Sequence, residues 1–174
     1  MIKSKCSKHF DYEDFYYCSD TWITTKVDNT PAQRRTVEAI SELATYVLDP
    51  IVEHFGSIKI TYGLCMPALE KQIKKKIKPQ ICPKLDQHAG YEINQRGNRI
   101  CSRDGFACDF VIEGQNMRSV AKWISLNCSF DSMYIYGDYN PIHVSYAPTN
   151  KEQIVIMNKH GNNRIPRVIQ KESL

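Results

Sequence analysis

Two histidines and one aspartate carry the clearest metal chemistry in this chain. His88 lies in Asp86-Gln87-His88-Ala89-Gly90, Asp109 in Gly105-Phe106-Ala107-Cys108-Asp109, and His143 in Pro141-Ile142-His143-Val144-Ser145. Two imidazoles and a carboxylate converging from three separate elements would give a zinc ion three protein ligands and leave a fourth position open for water. The same residue types also occur as hydrogen-bonded polar groups of a core, and spacing alone leaves both readings open. Cys6, His9 and Cys18 match no standard zinc spacing and lack a fourth ligand. His54, near the end of a helical pattern, reads as a surface residue.

The elements that must position these groups belong to one domain, because 174 residues is the length of a single unit. The domain spans 1–174, with an aromatic-rich N-terminal segment over 1–28 and a polar basic C-terminal tail over 158–174. At 42% hydrophobic and 24% charged residues the composition excludes disordered and low-complexity classes. The net charge of +4 permits an acidic partner without requiring one. Seven cysteines, an odd number with no CxxC pair, argue against a disulfide framework and read as reduced thiols. The basic start has no apolar stretch behind it, which predicts no secretory leader, no membrane span and a cytoplasmic setting.

The spacing of Val37, Ile40, Ala44, Val47 and Ile51 predicts a helix that opens near Asn29-Thr30-Pro31, is kinked or interrupted by Pro50 after Leu48, and ends at Gly56. Alternation in Ile58-Lys59-Ile60-Thr61-Tyr62 predicts a strand closed by Gly63. A second helix is expected over Pro67–Ile77. The lysines there (Lys71, Lys74, Lys75, Lys76 and Lys78) could meet phosphates, but read more simply as a solvated face, so nucleic acid is only weakly supported. A long polar loop follows over Pro79–Gly105, then a strand over Ala107–Glu113, a helix over Asn116–Asn127, and strands at Met133–Tyr136, Ile142–Tyr146 and Gln153–Met157. Helices first and strands later predict an α+β fold, helices packed on a mostly antiparallel sheet.

These stretches fall in a recognisable order. Asp28-Asn29-Thr30-Pro31, Leu43-Ala44, Val47-Leu48-Asp49-Pro50, Phe55-Gly56 and Ile60-Thr61 with Gly63 come first; His88, Gly105-Phe106-Ala107-Cys108-Asp109, Phe130-Asp131 and Ile142-His143-Val144-Ser145 follow. From about Phe10 to Met157 the chain resembles the M15 zinc peptidases, in their short phage and bacterial D-alanyl-D-alanine carboxypeptidase-like branch. The resemblance implies the hedgehog/DD-peptidase fold, one zinc ion on His88, Asp109 and His143, and hydrolysis of an amide bond in a cell-wall-type peptide.

Three departures from the family pattern shape the expected mechanism. The His and Asp ligands stand 21 positions apart, because an insertion carrying Cys101 separates them. Cys65 occupies the place of the family arginine that reads a substrate carboxylate, and Tyr136 the approximate place of the catalytic glutamate. Asp138, in the turn before His143, is then the candidate general base and Glu92 its alternative. Arg96, Arg99 and Arg103 of the insertion are candidates to replace the missing arginine. The competing reading keeps zinc in a non-peptidase domain, either a binding or regulatory module or an enzyme acting on a nucleotide or nucleic acid.

Overall fold

The computed structural model describes residues 4–75, 82–161 and 163–174. The chain is α+β, built on a six-stranded sheet. Its strands are β1 (Lys59–Tyr62), β2 (Phe106–Val111), β3 (Ser132–Ile135), β4 (Ile142–Tyr146), β5 (Gln153–His160) and β6 (Asn163–Ile169). They lie in the order β1-β2-β4-β3-β5-β6, and every neighbouring pair is antiparallel except β3 with β5.

Alternation along the central strands sorts the sheet into two faces. Cys108, Phe110, Ile142, Val144, Met133 and Ile135 point into the main core, where they are fully buried. The residues between them, among them Asp109, His143 and Tyr134, point the other way. Three helical stretches cover the apolar face: α2 (Arg34–Leu43), α3 (Asp49–Phe55) and α5 (Met117–Asn127). Thr36, Ala39, Ile40 and Leu43 of α2, and Met117, Val120, Ala121 and Ile124 of α5, are the buried stripes, at the spacing of one helical face. The Asn116 carboxamide oxygen caps α5 by accepting from the backbone N–H groups of Arg118 and Ser119 at 3.0 and 3.1 Å.

The kink or interruption expected after Leu48 takes the form of an irregular turn rather than a break. A π-helical turn, Ala44–Leu48, joins α2 to α3, and Pro50 sits in the first turn of α3. The wider turn gives the pyrrolidine ring room and makes no demand on its missing N–H. The helix expected to open near Pro31 is α2, which begins only at Arg34. Asn29 instead donates to the carbonyls of Tyr16 and Leu64 and accepts from the Met66 N–H, tying three segments together.

Elsewhere the expected elements shift at their ends. The remaining helices are α1 (Ser19–Thr25) and α4 (Pro67–Ile73). The last residue of the predicted second helix, Ile77, lies outside the described residues, as do Lys76 and Lys78. Residues after Met157, expected as a polar tail, continue β5 to His160 and return as β6; both strands pair throughout, although most of β6 is exposed. In the N-terminal segment Phe10 and Phe15 enter the core, Phe15 edge-on to Phe106. All seven cysteines are free thiols. No helix among the described residues is long and apolar enough to cross a membrane.

Gly105 ends the long loop and launches β2. Its φ is 94°, its N–H donates to the Tyr91 hydroxyl at 3.0 Å, and an added Cβ would overlap the backbone carbonyl of Tyr146. Both the dihedral and the overlap oppose a side chain here, so Gly105→Ala is expected to cost at least about 2 kcal/mol. Chemical denaturation measures it; an unchanged midpoint would show that the loop exit can shift.

Candidate metal centre

Strand register lines up the chemistry. Asp109 of β2 is the cross-strand partner of His143 in β4, which is in turn the partner of Tyr134 in β3; Tyr62 of β1 flanks Asp109 on the other side. Cross-strand partners share a face, so Tyr62, Asp109, His143 and Tyr134 form one row on the face away from the main core. The rings of Tyr134 and His143 are 4.7 Å apart.

His88 enters this row from the loop. Gln87, just before it, is held at φ 62°, a left-handed conformation that a non-glycine residue keeps only when its surroundings impose it. The Gln87 side chain supplies that constraint by donating to the Asp104 carbonyl and to the Asp131 carboxylate. The His88 carbonyl accepts from the Cys65 N–H at 3.0 Å. His88 Nδ1 lies 2.8 Å from the Gly63 carbonyl, which only accepts, so Nδ1 carries a proton and Nε2 faces the cluster.

One oxygen of Asp109 is the meeting point. Asp109 Oδ1 lies 3.2 Å from His88 Nε2 and 2.9 Å from His143 Nδ1. Both histidines are 1% exposed and Asp109 is 8% exposed. Burial opposes the charged form of Asp109, but the two imidazoles outweigh it and hold the carboxyl well below its usual range. Burial likewise opposes a charged His88, and the carboxylates of Asp86 and Asp109 outweigh it, raising its pKa to about 9. Without a metal, the cluster is a buried imidazolium–carboxylate pair.

The donor set suits a metal ion. His88, Asp109 and His143 each offer a ligand atom, and these lie within 4.8 Å of one another, the only such group of three or more among the described residues. Ligands about 2.0–2.2 Å from a tetrahedral zinc are about 3.4 Å apart, close to the spacings seen. His143 Nε2 is buried with no partner. An orphaned buried nitrogen costs roughly 1–3 kcal/mol while a typical hydrogen bond returns about 1, so His143 is poorly explained as a stabilising core residue. The Gly63 carbonyl gives His88 the outer partner that orients a metal-binding imidazole.

The acids expected as general base, Asp138 and Glu92, both have partners of their own. Asp138 is exposed in its turn and pairs with Arg118 at 3.2 Å, because that turn abuts the start of α5. Glu92 is buried, and its Oε1 accepts from the N–H groups of Ala32 and Gln33 at 3.1 and 3.0 Å. It serves the orphan donors ahead of α2, in place of the cap expected from Asn29 or Thr30.

The insertion arginines also divide. Arg96 lines a surface groove with Met66, Pro67 and Lys71. Arg99 binds Asp104 and the Arg103 carbonyl and lies over the Tyr91 ring. Arg103 alone reaches the row, through the Tyr134 hydroxyl at 3.0 Å.

Asp86 is the acid that sequence reasoning passed over. Its Oδ2 accepts from the Cys82 N–H at 2.8 Å, while Oδ1 is buried without a partner. Its negative charge acts on both His88 and Tyr136. Burial, then the negative charge of Asp109 and Asp86, pushes the Tyr136 phenol up. The available signal was proximity to His88 in sequence, but a loop residue carries no period that shows where its side chain points.

Purified protein is expected to hold about one zinc per chain, and His88→Ala and His143→Ala to lose it; elemental analysis decides, and equal zinc in all three proteins would refute the centre. The metal-free cluster also predicts a pH dependence. With its pKa raised from about 6.5 when unfolded to about 9, His88 contributes stability in full below pH 6.5, and that contribution is lost as pH rises through about 9. Zinc must displace the same proton, so its affinity should climb over this window. Melting temperatures of chelated protein and zinc titrations from pH 6 to 9 test the two opposite slopes.

Comparison with protein-family models, with curated proteins and with solved structures finds no match to this chain.

Proposed function

We propose that this chain is a zinc-dependent hydrolase of the M15 peptidase type, with the hedgehog/DD-peptidase fold, that cleaves an amide bond in a cell-wall-type peptide. The observation that carries this reading is the Asp109 carboxylate placed between two imidazole nitrogens on the polar face of the sheet. The ordered motif around Asp109 and His143 supplies the reaction class. His88 Nε2, Asp109 Oδ1 and His143 Nδ1 would hold the ion. Zinc, when bound, polarises a carbonyl oxygen and makes a water a better nucleophile.

The chain's own groups supply the rest. Gly63 and Gln87 fix the His88 ring and its approach. The unpartnered Oδ1 of Asp86 is the carboxylate oxygen available to hydrogen-bond and orient an incoming water, the part assigned from sequence to Asp138 or Glu92.

One observation favours the second reading, a zinc-binding non-peptidase domain. The place of the family arginine is held by Cys65, which is 1% exposed and packs with Cys18, Leu69 and Ile73, so no cation stands there. A substrate with a free carboxylate finds no substitute in Arg99 or Arg103, both committed to protein acceptors.

Hydrolysis of short D-alanyl and L-alanyl-D-glutamyl peptides by zinc-loaded protein separates the readings. The hydrolase reading expects turnover that Asp86→Asn lowers by about 10²-fold or more with zinc retained, and that Asp138→Asn leaves unchanged. No cleavage of any peptide by the zinc-loaded protein would favour the non-peptidase domain.

A further inference from the structure

Tyr134 stands next to His143 in the row and uses only half of its hydroxyl. The phenolic oxygen accepts a hydrogen bond from Arg103 Nη1 at 3.0 Å, while no acceptor among the described residues takes its own O–H. A phenol is both donor and acceptor, so one hydrogen remains for a further partner. The side chain is half-buried and its ring lies 4.7 Å from that of His143. The ring therefore flanks the cluster at His143, and its hydroxyl hydrogen is uncommitted among the described residues.

Arg103 explains why the hydroxyl stays in that state. Nη1 donates to the Leu85 carbonyl at 3.2 Å and to Tyr134; Nη2 donates to Asp131 Oδ2 and to Ser132 Oγ, both at 2.8 Å. These four contacts use the four hydrogens of its two terminal nitrogens. The guanidinium is thus not free to grip a substrate anion. A cationic donor on the phenolic oxygen also polarises the phenol and strengthens its remaining O–H as a donor.

We propose that Tyr134 is a ligand-binding residue of the metal centre, donating its O–H to a carbonyl or oxyanion oxygen of the bound molecule, and that Arg103 is its positioning residue. The inference rests on the metal centre of the hydrolase reading. It gives the insertion between His88 and Asp109 a definite role: it takes up the place of the lost family arginine indirectly, through a neutral donor. The ligand class that fits is a planar carbonyl or hydroxamate group, or a tetrahedral oxyanion, rather than a free carboxylate held by a cation.

The test uses the full chain loaded with cobalt(II), whose visible absorption reports the ligands around it, and acetohydroxamate as the probe. Wild type and Tyr134→Phe are expected to take up cobalt equally, since the ring against His143 is retained. Acetohydroxamate should bind Tyr134→Phe about ten-fold more weakly, the loss of one hydrogen bond to a charged or polarised oxygen. Arg103→Met should show a similar loss and Arg103→Lys a smaller one; Tyr134→Phe decides alone if the Arg103 variants do not fold. Equal affinity in wild type and Tyr134→Phe would overturn the role of Tyr134, and so would cobalt-loaded wild type that ignores the probe, each leaving the metal centre standing. Wild type with no cobalt spectrum would instead remove the metal centre and this inference with it.

Discussion

A single carboxylate oxygen, buried and faced by two imidazole nitrogens, is the constraint around which this molecule is arranged. Asp109 Oδ1 cannot remain there as a bare charge, because removing a carboxylate from water costs several kcal/mol unless a cation accompanies it. Two cations can: a proton on His88 Nε2 or a metal ion shared by all three residues. The Gly63 carbonyl, by holding the other proton on His88 Nδ1, turns the Nε2 lone pair toward that shared position. The unsatisfied Nε2 of His143 marks the cost of committing its other nitrogen to the same point.

The fold meets this constraint through strand alternation. Cys108, Phe110, Ile142 and Val144 give β2 and β4 an apolar face against α2 and α5, so the residues between them must face the other side. Pairing Asp109 with His143 then needs only the β2–β4 register. Burying the core and assembling the cluster are the same act, and a slip of either strand by one residue would turn its Asp109 or His143 into the apolar core. His88 is the exception. Coming from a loop, it is placed by a strained Gln87, by a hydrogen bond that its carbonyl accepts from the Cys65 N–H, and by one that its ring donates to the Gly63 carbonyl.

What could be read from the sequence follows the same division. The α+β class, the helix near Asn116–Asn127 and the central strands rest on local periodicity, and the structure has them within a few residues. Asp109 and His143 fall on strands whose alternation puts them on one face, but His88 comes from a loop, so the three could be grouped only through the family resemblance. The surroundings of the candidate acids had no such signal. Asp138 and Glu92 were chosen by distance along the chain, but one is drawn to Arg118 and the other lies under the N-terminal end of α2, contacts between segments far apart in sequence. The role of Tyr134 depends on β3 pairing with β4 and on Arg103 reaching across from the insertion, neither of which has a periodic signature. Nor could the tail be recognised as β6, since its residues are exposed and only the pairing with β5 orders them.

Zinc K-edge X-ray absorption on the metal-loaded protein tests the central claim most directly, since nitrogen or oxygen ligands near 2.0–2.1 Å are distinguishable from sulfur near 2.3 Å. A centre on His88, Asp109 and His143 predicts a first shell of light atoms with the outer scattering of about two imidazole rings and no sulfur. A sulfur shell, or an ion without imidazole scattering, would place the metal elsewhere and leave the buried carboxylate as an ion pair alone.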